Sequence, residues 1–206
     1  MKLNYLPNIG YITDDVPKEI MQVLAKEVDK IITDPSSATP NTQYLSSNFD
    51  AYVLKDSIPM LEPYIIQLAQ AYDKEWPYYT LWQLNGINRP VNIQLNDLWV
   101  NIQTPGSFNP NHRHLGLYSF VIWMLIPFDY EEQQANKPGA PVKGCFEFSY
   151  TSITGEVLHE IIPADRSYHG KIALFPSNLQ HGVYPFHHDD PKAKRITVSG
   201  NLRPVV

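Results

Sequence analysis

The most constraining feature of this sequence is a series of short stretches after about residue 91 in which side-chain character alternates with a period of two. In residues 97–103, one face carries Trp99, Asn101 and Gln103, and the intervening residues are aliphatic. A period of two is typical of a β-strand that has one face on a core. Further strands are predicted at 118–126, 145–150, 157–162, 171–175 and 195–201, with glycine or proline between them. Short strands with irregular connections favour a sandwich or jelly roll over βαβ units.

The first ninety residues have a different pattern, which predicts two amphipathic helices. Apolar residues recur at helical spacing in two sets: Ile20, Leu24, Val28 and Ile31, then Leu61, Ile65, Leu68 and Tyr72. We expect Asp14 and Asp15 to cap the first helix ahead of Pro17. The sequence predicts a mainly β fold with N-terminal helices. At 206 residues we expect a single domain, in which 1–90 form a helical support region and 91–206 the β core.

Composition excludes several classes of protein. A formal charge of −5 disfavours a protein that neutralises nucleic-acid phosphates. The single cysteine, Cys145, excludes an internal disulfide framework and a cysteine-rich metal site. The longest apolar run, 120–128, is too short to span a bilayer, and from the first residues we expect no signal peptide. We therefore expect a cytoplasmic location without membrane association; oligomeric state is not readable from the sequence.

Three histidines have a spacing that suits a metal site. His112 and His114 are two residues apart where the strand pattern resumes, so both imidazoles can face one ion. His181 follows the strand at 171–175 and a short turn. Three convergent imidazoles can bind a divalent first-row metal. A His-x-His pair by itself also occurs as a hydrogen-bonded surface feature, so the pair alone leaves both interpretations open.

Arg195 opens the last predicted strand, where alternation places it on one face with Thr197 and Ser199. A planar guanidinium beside a hydroxyl suits a bidentate clamp on a carboxylate. An arginine buried in a β core requires an anionic partner, because its desolvation is otherwise costly. The alternative is an exposed arginine beside Lys192 and Lys194 on a solvated turn.

The second half, from about residue 92 to 202, resembles the iron(II)- and 2-oxoglutarate-dependent oxygenases, and most closely the compact group found in bacteria and tailed phages. The matching pieces are residues 98–102 followed by Gly106, the pair His112 and His114 with Ser119 after it, residues 144–148, and residues 170–177 leading to His181, Arg195 and Asn201. The series Phe-Pro-Ser, histidine, arginine at 175–195 is its most specific part.

This resemblance implies a double-stranded β-helix, also called a jelly roll or cupin-like fold, with Fe(II) at its open end. It implies that His112 and His181 are metal ligands and that Arg195 pairs with the far carboxylate of 2-oxoglutarate. Asn101, Thr197 and Ser199 would add hydrogen bonds to this cosubstrate. The resemblance also implies a dioxygenase that hydroxylates a small molecule or a protein side chain.

The sequence departs from the superfamily at His114, because most members have a carboxylate two residues after the first histidine. Three interpretations remain. His114 coordinates and makes a three-histidine site; or it lies behind the ligands while water fills the position; or it is the first ligand and the carboxylate comes from elsewhere, with Glu147 as the strand-borne candidate. Without an anionic ligand the site is one unit more positive, which weakens Fe(II) retention.

Three aromatic residues are candidates for the pocket wall: Trp99, Tyr118 and Trp123. Two other functions remain open at this stage. One is a cupin-like three-histidine dioxygenase or isomerase that does not use 2-oxoglutarate. This function leaves Arg195 unexplained, and the sequence lacks the glutamate that such an enzyme has after the histidine pair. The other is a non-catalytic jelly-roll protein with a structural or binding role.

Overall fold

A computed structural model describes residues 9–41, 49–76, 86, 91–135, 139 and 141–205. Within these residues there are three α-helices: α1 (Lys18–Thr33), α2 (Ile58–Glu75) and the short α3 (Tyr130–Ala135). The strands are β1 (Ile12–Asp15), β2 (Asp50–Val53), β3 (Ile93–Gln103), β4 (Asn109–His112), β5 (Tyr118–Leu125), β6 (Phe146–Thr151), β7 (Val157–Ile162), β8 (Lys171–Pro176), β9 (Gln180–Val183) and β10 (Arg195–Pro204).

The strands form two antiparallel sheets. The larger sheet has the order β1-β8-β5-β10-β3-β2, and the smaller has the order β4-β9-β6-β7. From β3 onward the chain repeatedly crosses between the two sheets, as it does in a jelly roll. The prediction of a mainly β fold with N-terminal helices is confirmed.

The six-stranded sheet has two faces with different partners. Along β5, the even-numbered residues pack with the apolar stripes of α1 and α2, whereas Val121 and Trp123 pack toward the smaller sheet. The same division applies to β8, where Leu174 faces the helices and Phe175 the smaller sheet. Since the side-chain period of a strand is two, one strand contributes to both layers. The helices therefore cover one face and leave the other for a second core between the sheets.

Both predicted helices are present, and their buried residues include the predicted stripes. The predicted start of α1 is wrong. Asp14 and Asp15 belong to β1, which pairs with β8, and Pro17 is the N-cap residue of α1, which begins at Lys18. The carboxylates are therefore not available as caps, because backbone pairing with a strand more than 150 residues away holds this segment extended.

The long predicted strands are confirmed to within one or two residues at most ends, and three short strands were missed. These are β1, β2 and β9, each of four residues. Each is too short for a periodic pattern to be visible, and each is stabilised by pairing with a distant strand. Among the described residues, none of the helices combines the length and apolar character required to cross a membrane.

Candidate metal centre and its cavity

A cavity lies between the two sheets, and β3 and β10 form one wall of it. These strands pair so that Arg195 is opposite Gln103, Thr197 opposite Asn101 and Ser199 opposite Trp99. All six side chains line the cavity, as the alternation of the two strands predicts. The same cavity is lined by His112, His114 and His181. The structure thus brings the histidines and Arg195 together, although 14 to 83 residues separate them along the chain.

The three histidines form a compact, buried group. One ligand atom of each lies within 4.8 Å of those of the other two. His112 ends β4 and is the direct cross-strand neighbour of His181 on β9, with ring centroids 4.3 Å apart. His114 lies just beyond the end of β4, and its ring centroid is 4.9 Å from that of His112 and 5.1 Å from that of His181. Within the described residues this is the group of histidine, cysteine and carboxylate side chains that can hold a metal ion.

Backbone carbonyls orient two of the rings. His112 Nδ1 lies 2.7 Å from the carbonyl oxygen of Pro110, and His181 Nδ1 lies 2.9 Å from that of Leu179. A carbonyl only accepts hydrogen bonds, so each Nδ1 carries the proton and each Nε2 keeps its lone pair. This is the arrangement by which metal-binding histidines are usually oriented.

The three imidazoles are held in their neutral form. Burial lowers the pKa of His112, and burial together with the charge of His112 lowers the pKa of His114 to about 4. The pKa of His181 is well below its usual value, chiefly because of burial and then of repulsion by His112. Neutral imidazole is the form that binds a metal, so the group is ready to coordinate at neutral pH. The donor set therefore fits a divalent first-row ion such as Fe(II).

Arg195 is the buried cation of the cavity, with an exposed fraction of 2%. Its Nε donates to Gln103 Oε1 (2.8 Å) and its Nη1 to the carbonyl of Gly144 (3.0 Å). Its Nη2 donates to the carbonyls of Tyr184 (3.1 Å) and Ser107 (3.5 Å). These bonds use four of the five guanidinium protons and leave one on Nη1. All four acceptors are neutral, and burial lowers the pKa of Arg195 to about 9.

The burial of Arg195 decides between its two interpretations. The exposed alternative is wrong, because the side chain is buried in the cavity wall. The bidentate clamp on a carboxylate stays a prediction: the four acceptors leave one proton on Nη1, and the bond from Nη2 to Ser107 is long at 3.5 Å. The sequence could not reveal the competing acceptors, since three of them are backbone carbonyls from distant segments.

A small polar cluster lies further along β3 and β10. Asn101 accepts a hydrogen bond from Trp99 Nε1 (3.1 Å) and donates to Thr197 Oγ1 and Ser199 Oγ, both at 3.2 Å. Because Asn101 supplies the protons of these two bonds, the hydroxyl protons of Thr197 and Ser199 remain available to an acceptor. The predicted polar face is therefore a set of hydroxyl donors that one amide orients.

Two candidate residues do not belong to the cavity. Tyr118 lies on the helix-facing side of β5, where its hydroxyl donates to Asp73, whereas Trp123 lines the cavity as predicted. An interval of five residues places these two side chains on opposite faces. Glu147 lies on β6 between Phe146, which lines the cavity, and Phe148, so its own carboxylate faces away. The interpretation in which Glu147 completes the metal site is therefore wrong.

Phe146 is a cavity residue that the sequence did not indicate. Its ring stacks on His181, with the centroids 5.7 Å apart and the planes inclined by 15°. Phe175 meets the same imidazole edge-on at 4.8 Å. The available signal was alternation along β6 and β8, but it required knowledge of which face of each strand points inward. These rings help to bury the His181 imidazole, and burial is the largest cause of its lowered pKa.

The comparisons with known proteins agree with this geometry. Residues 97–201 match the model of a family described as "Putative 2OG-Fe(II) oxygenase". No curated protein sequence matches the chain. Among solved structures, the chain is similar to a prolyl-4-hydroxylase from Pseudomonas putida, with 14% identity over 96% of this chain and 94% of that one and a TM-score of 0.55. It is also similar to the alpha-ketoglutarate-dependent epimerase SnoN of nogalamycin biosynthesis, with 11% identity over 95% of this chain and 77% of that one and a TM-score of 0.59. At these identities the similarity concerns the fold, which is the predicted double-stranded β-helix.

Proposed function

The chain belongs to the 2OG-Fe(II) oxygenase family, and from this premise we propose that His112, His114 and His181 hold its iron and that Arg195 receives the distal carboxylate of 2-oxoglutarate. The observation that carries the proposal is the shared cavity. Three neutral imidazoles and one buried guanidinium line it, and Arg195 bonds to neutral acceptors alone. A buried cation of this kind is costly unless an anion completes it. A dicarboxylate that also chelates the metal supplies this anion.

When bound, the iron and 2-oxoglutarate supply the oxidising chemistry, in which dioxygen and the cosubstrate convert a C–H bond of the substrate into C–OH with release of succinate and carbon dioxide. The protein supplies binding and orientation. The Nε2 lone pairs of His112 and His181 are directed by the bonds that their Nδ1 protons donate to carbonyls. Arg195 attracts the carboxylate by its charge and by the remaining Nη1 proton.

The hydroxyl groups of Thr197 and Ser199 can donate further hydrogen bonds to the carboxylate, to which Arg195 donates one proton. Thr197 is two residues from Arg195 on the same face of β10, and its hydroxyl proton is available because Asn101 donates to its oxygen. Ser199 offers a second such proton further along the strand. Apolar side chains also line the cavity and exclude water from the three histidines: Trp123, Phe146 and Phe175. We propose a small molecule or a protein side chain as the substrate.

The cupin-like alternative also accounts for three histidines, but it assigns no role to Arg195 in the same cavity. A binding experiment separates the two. Anaerobic addition of Fe(II) and then of 2-oxoglutarate is expected to produce a weak visible charge-transfer band that depends on both. Arg195→Lys keeps the charge and loses the planar donor set, so it should weaken 2-oxoglutarate binding and leave Fe(II) binding intact. Fe(II) binding that is indifferent to 2-oxoglutarate would refute the proposal.

A further inference from the structure

Glu147 is a buried carboxylate that the proposed chemistry does not use. It extends from β6 to the outer face of the four-stranded sheet, where three donors meet it. Tyr184 donates its hydroxyl proton to Oε2 (2.7 Å), and Ser149 Oγ and His159 Nδ1 each lie 3.0 Å from Oε1. Burial alone would raise the pKa of Glu147, but the donated bonds outweigh burial and lower it. The carboxylate is therefore ionised and fully hydrogen-bonded at neutral pH.

One of these donors, Tyr184, also contacts Arg195 through its backbone. Tyr184 follows β9, and its backbone carbonyl accepts the bond from Arg195 Nη2 (3.1 Å). Its backbone N–H donates to the carbonyl of Cys145 (2.9 Å), and its ring is anchored at the far end by Glu147. Glu147 thus holds the side chain of the residue whose carbonyl Arg195 contacts. A displacement of the carbonyl would turn the guanidinium, because the other Nη2 bond, to Ser107, is long at 3.5 Å.

A second donor, Ser149, is connected to the histidines of the candidate metal site through Asn111. Ser149 Oγ accepts a hydrogen bond from Asn111 Nδ2 (2.9 Å), and Asn111 is the residue before His112. The pairing of β4 with β9 is irregular between Asn109 and His112, so the backbone ladder holds this segment weakly. The side chain of Asn111 compensates by crossing β9 to reach β6. The Asn111 backbone lies beside Gly182 of β9, where a Cβ atom would be 3.5 Å from Asn111 N and Cα.

Resting on the proposed function, we propose that Glu147 is a positioning residue for both ends of the cavity. Through Tyr184 it sets the carbonyl that orients Arg195, and through Ser149 and Asn111 it fixes the strand that carries His112. It acts from outside the cavity and contacts neither the metal nor the cosubstrate. The two routes share one carboxylate, so its loss should affect both ligands, whereas loss of one route should affect one ligand.

The test measures anaerobic dissociation constants for Fe(II) and for 2-oxoglutarate, together with the melting temperature of the metal-free protein. Tyr184→Phe removes the hydroxyl and keeps the backbone carbonyl, so it should weaken 2-oxoglutarate binding by about fivefold, the equivalent of one ordinary hydrogen bond, and leave Fe(II) binding unchanged. Asn111→Ala should do the reverse. Glu147→Gln should weaken both by about tenfold, as outer partners of metal sites do.

His159→Ala is the matched control: its half-exposed imidazole contacts Glu147 Oε1 (3.0 Å) and Ser149 Oγ (3.2 Å), but it is not one of the side chains that link Glu147 to Arg195 or to His112. It should leave both constants unchanged. The proposal is overturned if Glu147→Gln binds both ligands like the unaltered protein, or if His159→Ala weakens them equally. If Glu147→Gln does not fold, the opposite selectivities of Tyr184→Phe and Asn111→Ala decide the matter. Failure of the unaltered protein to bind 2-oxoglutarate would refute the proposed function, while the Fe(II) constant of Asn111→Ala would still test the metal route.

Discussion

Each face of the six-stranded sheet has a buried charged side chain beside it, and the two charges differ in their hydrogen-bond partners. On the helix side, Glu27 of α1 accepts bonds from the backbone N–H groups of Lys55, Asp56 and Ser57 and from the Ser57 hydroxyl. These donors lie at the start of α2, where unpaired N–H groups and the helix dipole favour an anion. On the cavity side, Arg195 is also buried, but one of its Nη1 protons has no acceptor among its four hydrogen bonds, and its side chain lines the cavity.

The difference separates a structural charge from a functional one. Glu27 is satisfied by the chain itself, since it ties α1 to α2 and completes the cap of α2. Arg195 has neutral acceptors that hold it in place without neutralising it. A charge of the first kind contributes to the free energy of unfolding. A charge of the second kind contributes to ligand binding at some cost to that free energy.

The largest effect should come from Arg195→Met, which replaces the cavity cation with an apolar side chain of similar length. We expect 2-oxoglutarate binding to weaken by roughly 1,000-fold, or about 4 kcal/mol, because its buried carboxylate loses its partner. The melting temperature of the metal-free protein should change by about 4 °C at most, since water in the cavity can replace the lost donors. Calorimetric titration and thermal unfolding measure the two quantities. A large loss of stability with unchanged affinity for 2-oxoglutarate would mean that Arg195 is a structural charge, like Glu27.

Glu27→Ala should produce the opposite result. Three backbone N–H groups at the start of α2 lose their acceptor, and we expect the free energy of unfolding to fall by about 3 kcal/mol. For a chain of this size that loss corresponds to a decrease of about 6–12 °C in the melting temperature. The dissociation constant for 2-oxoglutarate should not change. The comparison fails if this variant loses affinity for 2-oxoglutarate while it stays folded.

His114→Phe tests the three-histidine assignment on the cavity side. Phenylalanine fills a similar volume and keeps the edge-on contact with Trp99, but it has no lone pair. If His114 coordinates, Fe(II) affinity should fall by at least about tenfold, comparable to the loss of an outer partner of a metal site. Stability should change little, because an aromatic ring replaces an aromatic ring. Unaltered Fe(II) affinity would mean that water takes this coordination position.

The smallest effects are expected from two substitutions on opposite faces of β5. Tyr118→Phe removes the hydroxyl that Asp73 accepts on the helix side, and we expect a loss of about 1 kcal/mol in the free energy of unfolding with no change in ligand binding. Trp123→Phe, five residues along β5, should instead alter ligand binding, because Trp123 lines the cavity. Denaturant unfolding and titration distinguish them. Equal effects of both variants on binding would contradict the assignment of the two faces.

Much of this architecture is visible in local patterns. The stripe at Ile20, Leu24 and Val28 identified α1, and alternation in 97–103 and 195–199 grouped on shared faces the residues that line the cavity in the structure, Asn101 and Thr197 among them. These features follow from periods of 3.6 and 2 residues, which depend on neighbouring residues alone. The same rule, applied to the interval between Tyr118 and Trp123, would have excluded Tyr118 from the cavity.

Tertiary structure decided which of the predicted faces meet and what each charge contacts. The acceptors of Arg195 lie 11 to 92 residues away in the sequence, and three of the four are backbone carbonyls that no side-chain pattern encodes. Glu147 shows the same limit, since its donors come from three strands or their ends that join only in the folded sheet. By itself, the sequence identified the long strands, the two long helices and the candidate ligands, because the order of side chains along the backbone is local. Long-range strand pairing decided that Arg195 borders the histidine cavity while Glu147 lies outside it.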